Sequence, residues 1–218
     1  MAAMASESAA ADTTLAAYHR DEVTGCARCT LSAARHNVVV GSGPVGAELM
    51  LVGRAPSYEE DRRGAPFLAA VGDLLDRCLA DIGLTRRRVF CTTLVKCRPP
   101  GGREPTRDEV SACEAHLHRQ IQLVSPGVVV TLGSLATRVV SGLNESITTL
   151  HGRELFVSVA GRDVPVVPLY DPGAVLDSDV LRRAFETDFR AIGAIVGTAV
   201  TERPDEDGGA AEQLDLFG

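Results

Sequence analysis

Four short apolar segments, each bounded by glycine or proline, alternate along the chain with segments of helical periodicity. They are AELMLVG (residues 47–53), RVFCTTLV (88–95), PGVVVTLG (126–133) and DVPVVPLY (163–170). The runs are partly β-branched and almost continuously apolar, as strands buried on both faces are. Strands that alternate with helices predict an α/β fold in which helices cover both faces of a parallel sheet.

The segments between these strands carry apolar residues at helical spacing. In residues 67–84 the stripe includes Leu68, Val71 and Leu75 and ends near Gly83, as an amphipathic helix does. Further helices are predicted at residues 15–23, 134–142 and 178–196. Thr106, followed three residues later by Glu109, forms a capping box and predicts another helix start.

The ends of three predicted strands indicate where a ligand would bind. Ligands of open parallel sheets lie beyond the carboxyl ends of the strands. Gly53, Val95 and Tyr170 each lead into a loop that contains glycine or proline. We therefore expect these three loops to converge on one site.

Length and charge favour a single globular domain with a distinct acidic tail. The chain has 218 residues, 45% of them hydrophobic, and a net charge of -7. Residues 201–218 hold six acidic side chains and one arginine, so the remainder is nearly neutral. We expect an N-terminal arm (1–24), one domain (25–197) and a disordered tail (198–218). Because Lys96 is the only lysine beside 21 arginines, the basic side chains are forked donors suited to phosphate.

The compartment follows from features that the sequence lacks. No apolar run approaches the ~20 residues of a membrane span, and the first residues do not form a signal peptide. We expect a soluble, cytoplasmic protein with no membrane partner. Six cysteines in a reducing compartment indicate metal ligation rather than disulfides.

Four of the cysteines are placed so that they could share one metal centre. Cys26 and Cys29 flank a tight turn, Cys97 follows the second strand, and Cys113 lies on the capped helix. Four thiolates suit either zinc or an iron–sulfur cluster, and spacing alone does not separate the two. They could also be unrelated buried thiols, an interpretation that suits Cys78 and Cys91.

Three motifs together resemble a known family. They are the C-x2-C pair, the loop GRAPSYEEDRRGAPF, and KCRPP followed by a capped helix with a cysteine. Across residues 26–196 the chain resembles the type 4, iron–sulfur uracil-DNA glycosylases. The resemblance implies a three-layer αβα sandwich around a parallel four-stranded sheet. It also implies a 4Fe-4S cluster, with zinc as the alternative, on the ligands Cys26, Cys29, Cys97 and Cys113.

Enzymes of this family flip a uracil out of DNA and break its N-glycosidic bond. Of the family's four site residues, only the stacking aromatic is kept, as Phe67. Arg54 stands at the position of a glutamate, Thr93 at that of an asparagine, and Asp171 at that of a histidine. The resemblance implies catalytic positions Arg54 and Asp171, and substrate-binding positions Gly53, Ala55, Pro56, Phe67, Thr93 and Pro172.

The altered positions affect both the expected chemistry of the pocket and the expected function of the protein. A cation at Arg54 opposes the positive charge that develops on the sugar, and an ion pair with Asp171 would either plug the pocket or form a new recognition surface. Alternatively the chemistry has moved, with Asp171 or the Glu60 and Asp61 pair positioning water. We favour a DNA N-glycosylase of weak or altered specificity over a catalytically inert iron–sulfur protein that binds DNA or the clamp. A zinc-stabilised interaction module is the third possibility.

Partners are indicated by basic residues and by the tail. Arg62, Arg63, Arg98, Arg103 and Arg107 are candidate phosphate contacts, and Val175 or Leu176 is a candidate DNA wedge. The sequence QLDLF near the C-terminus resembles the bacterial sliding-clamp binding motif, on an acidic tether that could fold on binding. We therefore expect a nucleoid-associated monomer that contacts the clamp through Gln213, Leu214, Leu216 and Phe217.

Overall fold

A five-stranded sheet forms the centre of the protein, which a computed structural model describes over residues 14–201. The strands are β1 (Leu49–Gly53), β2 (Val89–Thr93), β3 (Val128–Leu132), β4 (Leu155–Val159) and β5 (Arg162–Leu169). Their order across the sheet is β2-β1-β3-β5-β4. The pairs among β2, β1, β3 and β5 are parallel, so the predicted α/β class and the four parallel strands are confirmed.

The fifth strand, β4, is a correction to the expected four-stranded sheet. It pairs antiparallel with β5 at the edge of the sheet. The two strands are joined through Ala160 and Gly161, which both have positive φ angles (54° and 76°), as a tight hairpin turn requires. β4 alternates between exposed and partly buried residues, and Phe156 is 79% exposed. This half-polar pattern lacks the continuous apolar run by which the other strands were recognised.

The helices predicted at residues 67–84, after Thr106, at 134–142 and at 178–196 are present, and three short helices at 58–63, 147–150 and 172–176 were not predicted. In chain order, the helices are α1 (Tyr58–Arg63), α2 (Ala69–Asp81), α3 (Arg107–Val124), α4 (Ser134–Ser141), α5 (Ile147–Leu150), α6 (Pro172–Leu176) and α7 (Asp179–Thr201). The N-terminal part is helical over residues 14–23, ending in a π-helix (His19–Val23). Short 3-10 turns occur at Thr30–Ala33, Arg86–Arg88 and Pro100–Gly102. Within residues 14–201, no helix is both long and apolar enough to span a bilayer.

Two hydrophobic cores, one on each face of the sheet, produce the three-layer arrangement. Along β1, Met50 and Val52 belong to the core shared with α3 and α4, whereas Leu49 and Leu51 belong to the core shared with α2 and α7. Successive strand residues point to opposite faces, and here both faces are covered. The expected layers are therefore present, with the sheet buried between helices.

Glu109 connects the predicted capping box to the N-terminal segment. Its carboxylate accepts hydrogen bonds from both terminal nitrogens of Arg103 (2.7 and 2.8 Å), from Thr106 N (2.8 Å) and from Thr30 Oγ1 (3.1 Å). Thr106 Oγ1 accepts from Glu109 N in return. The Arg103 guanidinium and these donors hold the pKa of the buried Glu109 carboxyl down to about 2. The capping box is confirmed, and it also anchors distant chain segments.

We predict that Glu109→Gln lowers the free energy of unfolding by about 2 kcal/mol at neutral pH, since hydrogen bonds to a charged group are the stronger ones. The folded-state pKa lies below the ordinary value of 4.5, so the carboxylate stabilises the fold above that pH. Its contribution is lost as the pH falls towards 2. The difference between wild type and variant in urea unfolding should therefore shrink in acid. Equal differences at about pH 7 and about pH 3 would contradict this account.

Candidate functional site

A cavity of about 180 Å³ opens at the carboxyl ends of the parallel strands. The residues that line it are Gly53, Arg54, Ala55, Ser57, Glu60, Phe67, Leu68, Val71, Leu132, Asp171, Pro172 and Gly173. The loops after β1 and β5 therefore converge as expected. The end of β3 provides the third side, where the sequence had indicated the loop after β2. Six of the eight residues predicted for catalysis and substrate binding line this cavity.

Arg54 and Asp171 stand between this cavity and a neighbouring one of about 300 Å³, which both residues also line. No ion pair joins these two residues within 4.0 Å among the salt bridges of the described chain, so the expected ion pair is wrong. Asp171 instead caps α6, with Oδ1 accepting from Gly173 N at 2.9 Å. Asp171 thus bonds to an amide only two residues further along the chain. The Arg54 side chain, in contrast, is exposed.

Phe67 forms one wall of the cavity and is only 5% exposed. An ideal Cβ built on Gly53 would lie 2.8 Å from the Cε1 atom of the Phe67 ring. The ring therefore packs directly on the backbone of β1, where a larger residue than glycine would displace it. A flat aromatic face at the base of a small cavity is suited to stacking against a planar ligand.

Glu60 ties together the two ends of the loop around the cavity. It lies within α1, where its Oε2 accepts from Ser57 N at 2.6 Å, while Oε1 accepts from Leu68 N at 3.3 Å. Ser57 Oγ accepts from Glu60 N in a second capping box. The carboxylate is 5% exposed, and its oxygens satisfy backbone donors that would otherwise be buried without partners.

Asp61 points away from the cavity and binds the N-terminal segment. Its carboxylate accepts from His36 N (3.0 Å) and contacts His36 Nδ1 at 2.7 Å, and it is almost fully buried. Asp61 is not among the residues that line the cavity, so the two acids do not act there as a pair. Glu60 does line the cavity, and its role in positioning water stays a prediction. Both carboxylates organise the loop structure.

Thr93 and Pro56, predicted to bind substrate, are not among the residues that line the cavity. Thr93 is paired in register with Gly53 behind it, and its hydroxyl donates to Val95 O at 2.9 Å. Their contact with a ligand stays a prediction. Lys96, for which no sequence motif indicated a role, has a buried ammonium that donates to Thr92 Oγ1 (2.7 Å) and Thr93 O (2.6 Å). Burial lowers the pKa of Lys96 to about 8.

The four cysteines of the sequence motifs lie on three parts of the fold. Cys26 and Cys29 lie in the N-terminal segment before β1, Cys97 lies in the loop after β2, and Cys113 lies on α3. Burial raises the pKa of the Cys97 thiol; the Arg35 guanidinium partly offsets this rise, and the charges of Cys29 and Cys26 add to it. Burial also raises the pKa of Cys113, with smaller contributions from Cys97 and Cys26. Cys26 and Cys29 therefore lie near Cys97, and Cys97 and Cys26 lie near Cys113. Cys78 is a buried thiol of the core, as expected.

Hydrogen-bond donors surround these thiols. Arg35 Nη1 lies 3.4 Å from Cys97 Sγ, Lys96 N donates to Cys113 Sγ at 3.3 Å, and His116 Nε2 is 3.3 Å from Cys26 Sγ. Such donors stabilise thiolate ligands. In the part of the chain that the structure describes, no three or more His, Cys, Asp or Glu side chains are arranged to hold a metal ion. The hydrogen-bond donors around these four cysteines are thus suited to thiolates.

Comparison with known proteins places the chain in a family. Residues 40–190 match the family model of the uracil DNA glycosylase superfamily. Type-4 uracil-DNA glycosylase from Archaeoglobus fulgidus is 39% identical over 81% of this chain and 90% of that protein. The enzymes of the same name from Sulfurisphaera tokodaii and Thermotoga maritima are 41% and 38% identical, over 79% and 75% of this chain and 81% and 85% of those proteins. The chain belongs to the type-4 uracil-DNA glycosylase family.

We predict that Gly53→Ala destabilises the protein by about 1–3 kcal/mol, since overpacking displaces a well-packed neighbour. The added methyl group would meet the Phe67 ring. Gly25→Ala is the matched control, because a Cβ there would have no atom within 4 Å. Urea unfolding of both variants measures the difference. An equal, small effect at the two glycines would contradict the packing of Phe67 on β1.

Proposed function

We propose that the protein is a DNA-repair N-glycosylase that hydrolyses the bond between a damaged base, uracil or another, and its deoxyribose. The observation that carries the proposal is the small cavity at the strand ends, walled by Phe67 and flanked by Arg54 and Asp171. A base inside a duplex cannot reach such a site, so it must be flipped out of the stack. The relatives' name, type-4 uracil-DNA glycosylase, supports uracil as the first substrate to test.

The two charged residues at the rim match the charges of such a reaction. When the N-glycosidic bond breaks, its electron pair leaves with the base, and positive charge develops on the sugar. Water then adds hydroxide to C1′, and its proton goes to the base. Asp171 Oδ1 is used by Gly173 N, while the other oxygen can face the sugar or water. The Arg54 guanidinium can stabilise the departing anion.

The open cavity argues against an inert scaffold. An Arg54–Asp171 ion pair across the pocket would have closed it, but Asp171 is engaged by its own helix and Arg54 is exposed. The replacement of the family's acid and histidine therefore leaves space for a ligand. We infer a remodelled site with weaker or altered specificity, since losing one preplaced electrostatic group costs on the order of 10²- to 10³-fold.

Exposed basic and aromatic side chains around the cavity support a DNA-binding surface. Arg98 lies over the Tyr58 ring, 5.5 Å from its centroid, and Tyr58 is 54% exposed directly after the cavity-lining Ser57. Stacked rings and guanidinium groups bind unpaired bases and phosphates. Arg103, by contrast, is paired with Glu109. The wedge hypothesis is wrong for Val175, which is fully buried.

The remodelled pocket predicts a gain of activity on restoring the family's residues. Arg54→Glu combined with Asp171→His and Thr93→Asn should raise single-turnover uracil release from an oligonucleotide by about 10²-fold, because both electrostatic groups and the base-edge contact return. Arg62→Gln, which lowers the net charge by one as the triple variant does, is the control for altered DNA affinity. A folded triple variant without any gain would contradict the remodelled-pocket interpretation.

We also propose that Cys26, Cys29, Cys97 and Cys113 hold a 4Fe-4S cluster. Their mutual electrostatic influence and the nearby donors support one shared centre. Bound there, the cluster would join the N-terminal segment to α3, with a structural role; zinc is the alternative centre.

The cluster proposal predicts that Cys97→Ala removes most visible absorbance and bound iron and lowers the melting temperature. Cys78→Ala is the matched control, since Cys78 is a core thiol whose pKa burial raises to about 11. Its iron content should equal that of the wild type. Colourless wild-type protein that contains zinc would favour the alternative. Unchanged melting of a soluble Cys97→Ala variant would contradict the structural role.

We propose, finally, that the peptide Gln213–Phe217 binds the bacterial sliding clamp. This segment lies outside residues 14–201, so the proposal rests on the sequence QLDLF. Deleting residues 213–218 should weaken clamp binding at least tenfold in a surface-plasmon measurement. Replacing Asp205, Glu206 and Asp207 with asparagine keeps the peptide and serves as the control. Unchanged affinity after the deletion would reject the proposal.

A further inference from the structure

Phe67 adopts a backbone conformation that few residues other than glycine adopt. Its φ angle is +53°, and that of Ala69, two residues on, is +52°. For a residue with a bulky side chain this conformation costs on the order of 1 kcal/mol or more and persists only where the surroundings enforce it. The position of the Phe67 ring in the cavity therefore depends on contacts that hold its backbone.

Arg86 supplies those contacts from behind the cavity. Its Nη2 donates to Phe67 O at 3.0 Å and to Gly72 O at 3.3 Å. Its Nε donates to Asp76 Oδ1 at 2.5 Å, and Nη1 lies 3.8 Å from Cys91 Sγ. Asp76 on α2 thus orients the guanidinium through Nε. Nη2 then donates to the carbonyl oxygen of Phe67.

Two glycines contact Phe67, one at its backbone carbonyl and one at its ring. An ideal Cβ on Gly72 would lie 2.5 Å from Phe67 O, and one on Gly53 would lie 2.8 Å from the ring. The carbonyl of Phe67 therefore packs against the first turn of α2, while its ring packs against β1. Among residues 14–201, the hydrogen bond from Arg86 to Phe67 O adds a directional attraction to this steric fit.

We propose that Arg86, oriented by Asp76, is a positioning residue that holds Phe67 in place to stack on a flipped base. The inference rests on the proposed function, because it assigns the stacking role to Phe67. Arg86 is not among the residues lining the cavity, so its effect on base recognition is indirect, and its hydrogen bond to Phe67 O is the contact that reaches the cavity wall. A merely structural arginine would affect stability without changing the preference for one base.

The test is a double-mutant cycle on base preference. Fluorescence anisotropy gives the Kd for a duplex with one 2′-fluoro-2′-deoxyuridine and for the same duplex with thymidine. The fluorine opposes positive charge on the sugar, so the N-glycosidic bond stays intact during the measurement. The ratio of the two Kd values is the preference. Phe67→Leu should reduce it about tenfold, within the range for base–aromatic stacking. Arg86→Gln should reduce it about fivefold, and the double variant should lose no more than Phe67→Leu alone.

Two further variants keep the test decisive. Arg87→Gln removes the same charge from the exposed neighbour and should leave the preference unchanged. Asp76→Asn retains Arg86 but loosens its orientation, so it should reduce the preference about twofold, and it serves if Arg86→Gln does not fold.

The outcomes separate this inference from the proposed function. If Phe67→Leu reduces the preference but Arg86→Gln and Asp76→Asn do not, the positioning role is overturned and the base pocket stands. Independent, multiplying losses in the double variant also overturn it. If Phe67→Leu leaves the preference unchanged, the stacking assignment and this inference fail together.

Discussion

Parallel pairing of β1 with its two neighbours is the constraint on which the site depends. Gly53 is in register with Thr93, and Val52 with Thr131, so the strands end at one level and their loops share one edge. There the backbone of Gly53 meets the ring of Phe67. A slip of one residue would turn every side chain of β1 to the opposite face. The cavity exists because the register is fixed by two buried faces.

Apolar patterns predicted the scaffold because a strand buried on both faces has few alternatives in sequence. β4 was missed since an exposed edge strand, with Phe156 at its surface, lacks that pattern. The ion pair between Arg54 and Asp171 was wrong for a different reason. Opposite charges on facing loops do not fix a distance, and Asp171 finds a nearer partner in the amide of Gly173.

Buried carboxylates hold the loops that shape the site, and sequence patterns do not reveal them. Glu60, Asp61 and Glu109 each accept from backbone amides. Burying such a charge is costly unless donors satisfy it, so these contacts make the loops rigid. Of these contacts, only the capping box of Thr106 and Glu109 was predicted from a short-range motif, whereas that of Ser57 and Glu60 was not. The bond from Asp61 to His36, by contrast, joins segments that only the fold brings together.

The proposed function requires that the altered pocket still releases a base from DNA. The most direct measurement is base release by wild-type, cluster-loaded protein from oligonucleotides carrying uracil, hypoxanthine, xanthine or a thymine mispair, beside an authentic type-4 enzyme. We expect release from at least one of these substrates, slower than uracil release by the control. Silence on all four, with DNA binding intact, would contradict it and would mean that the scaffold works by binding alone.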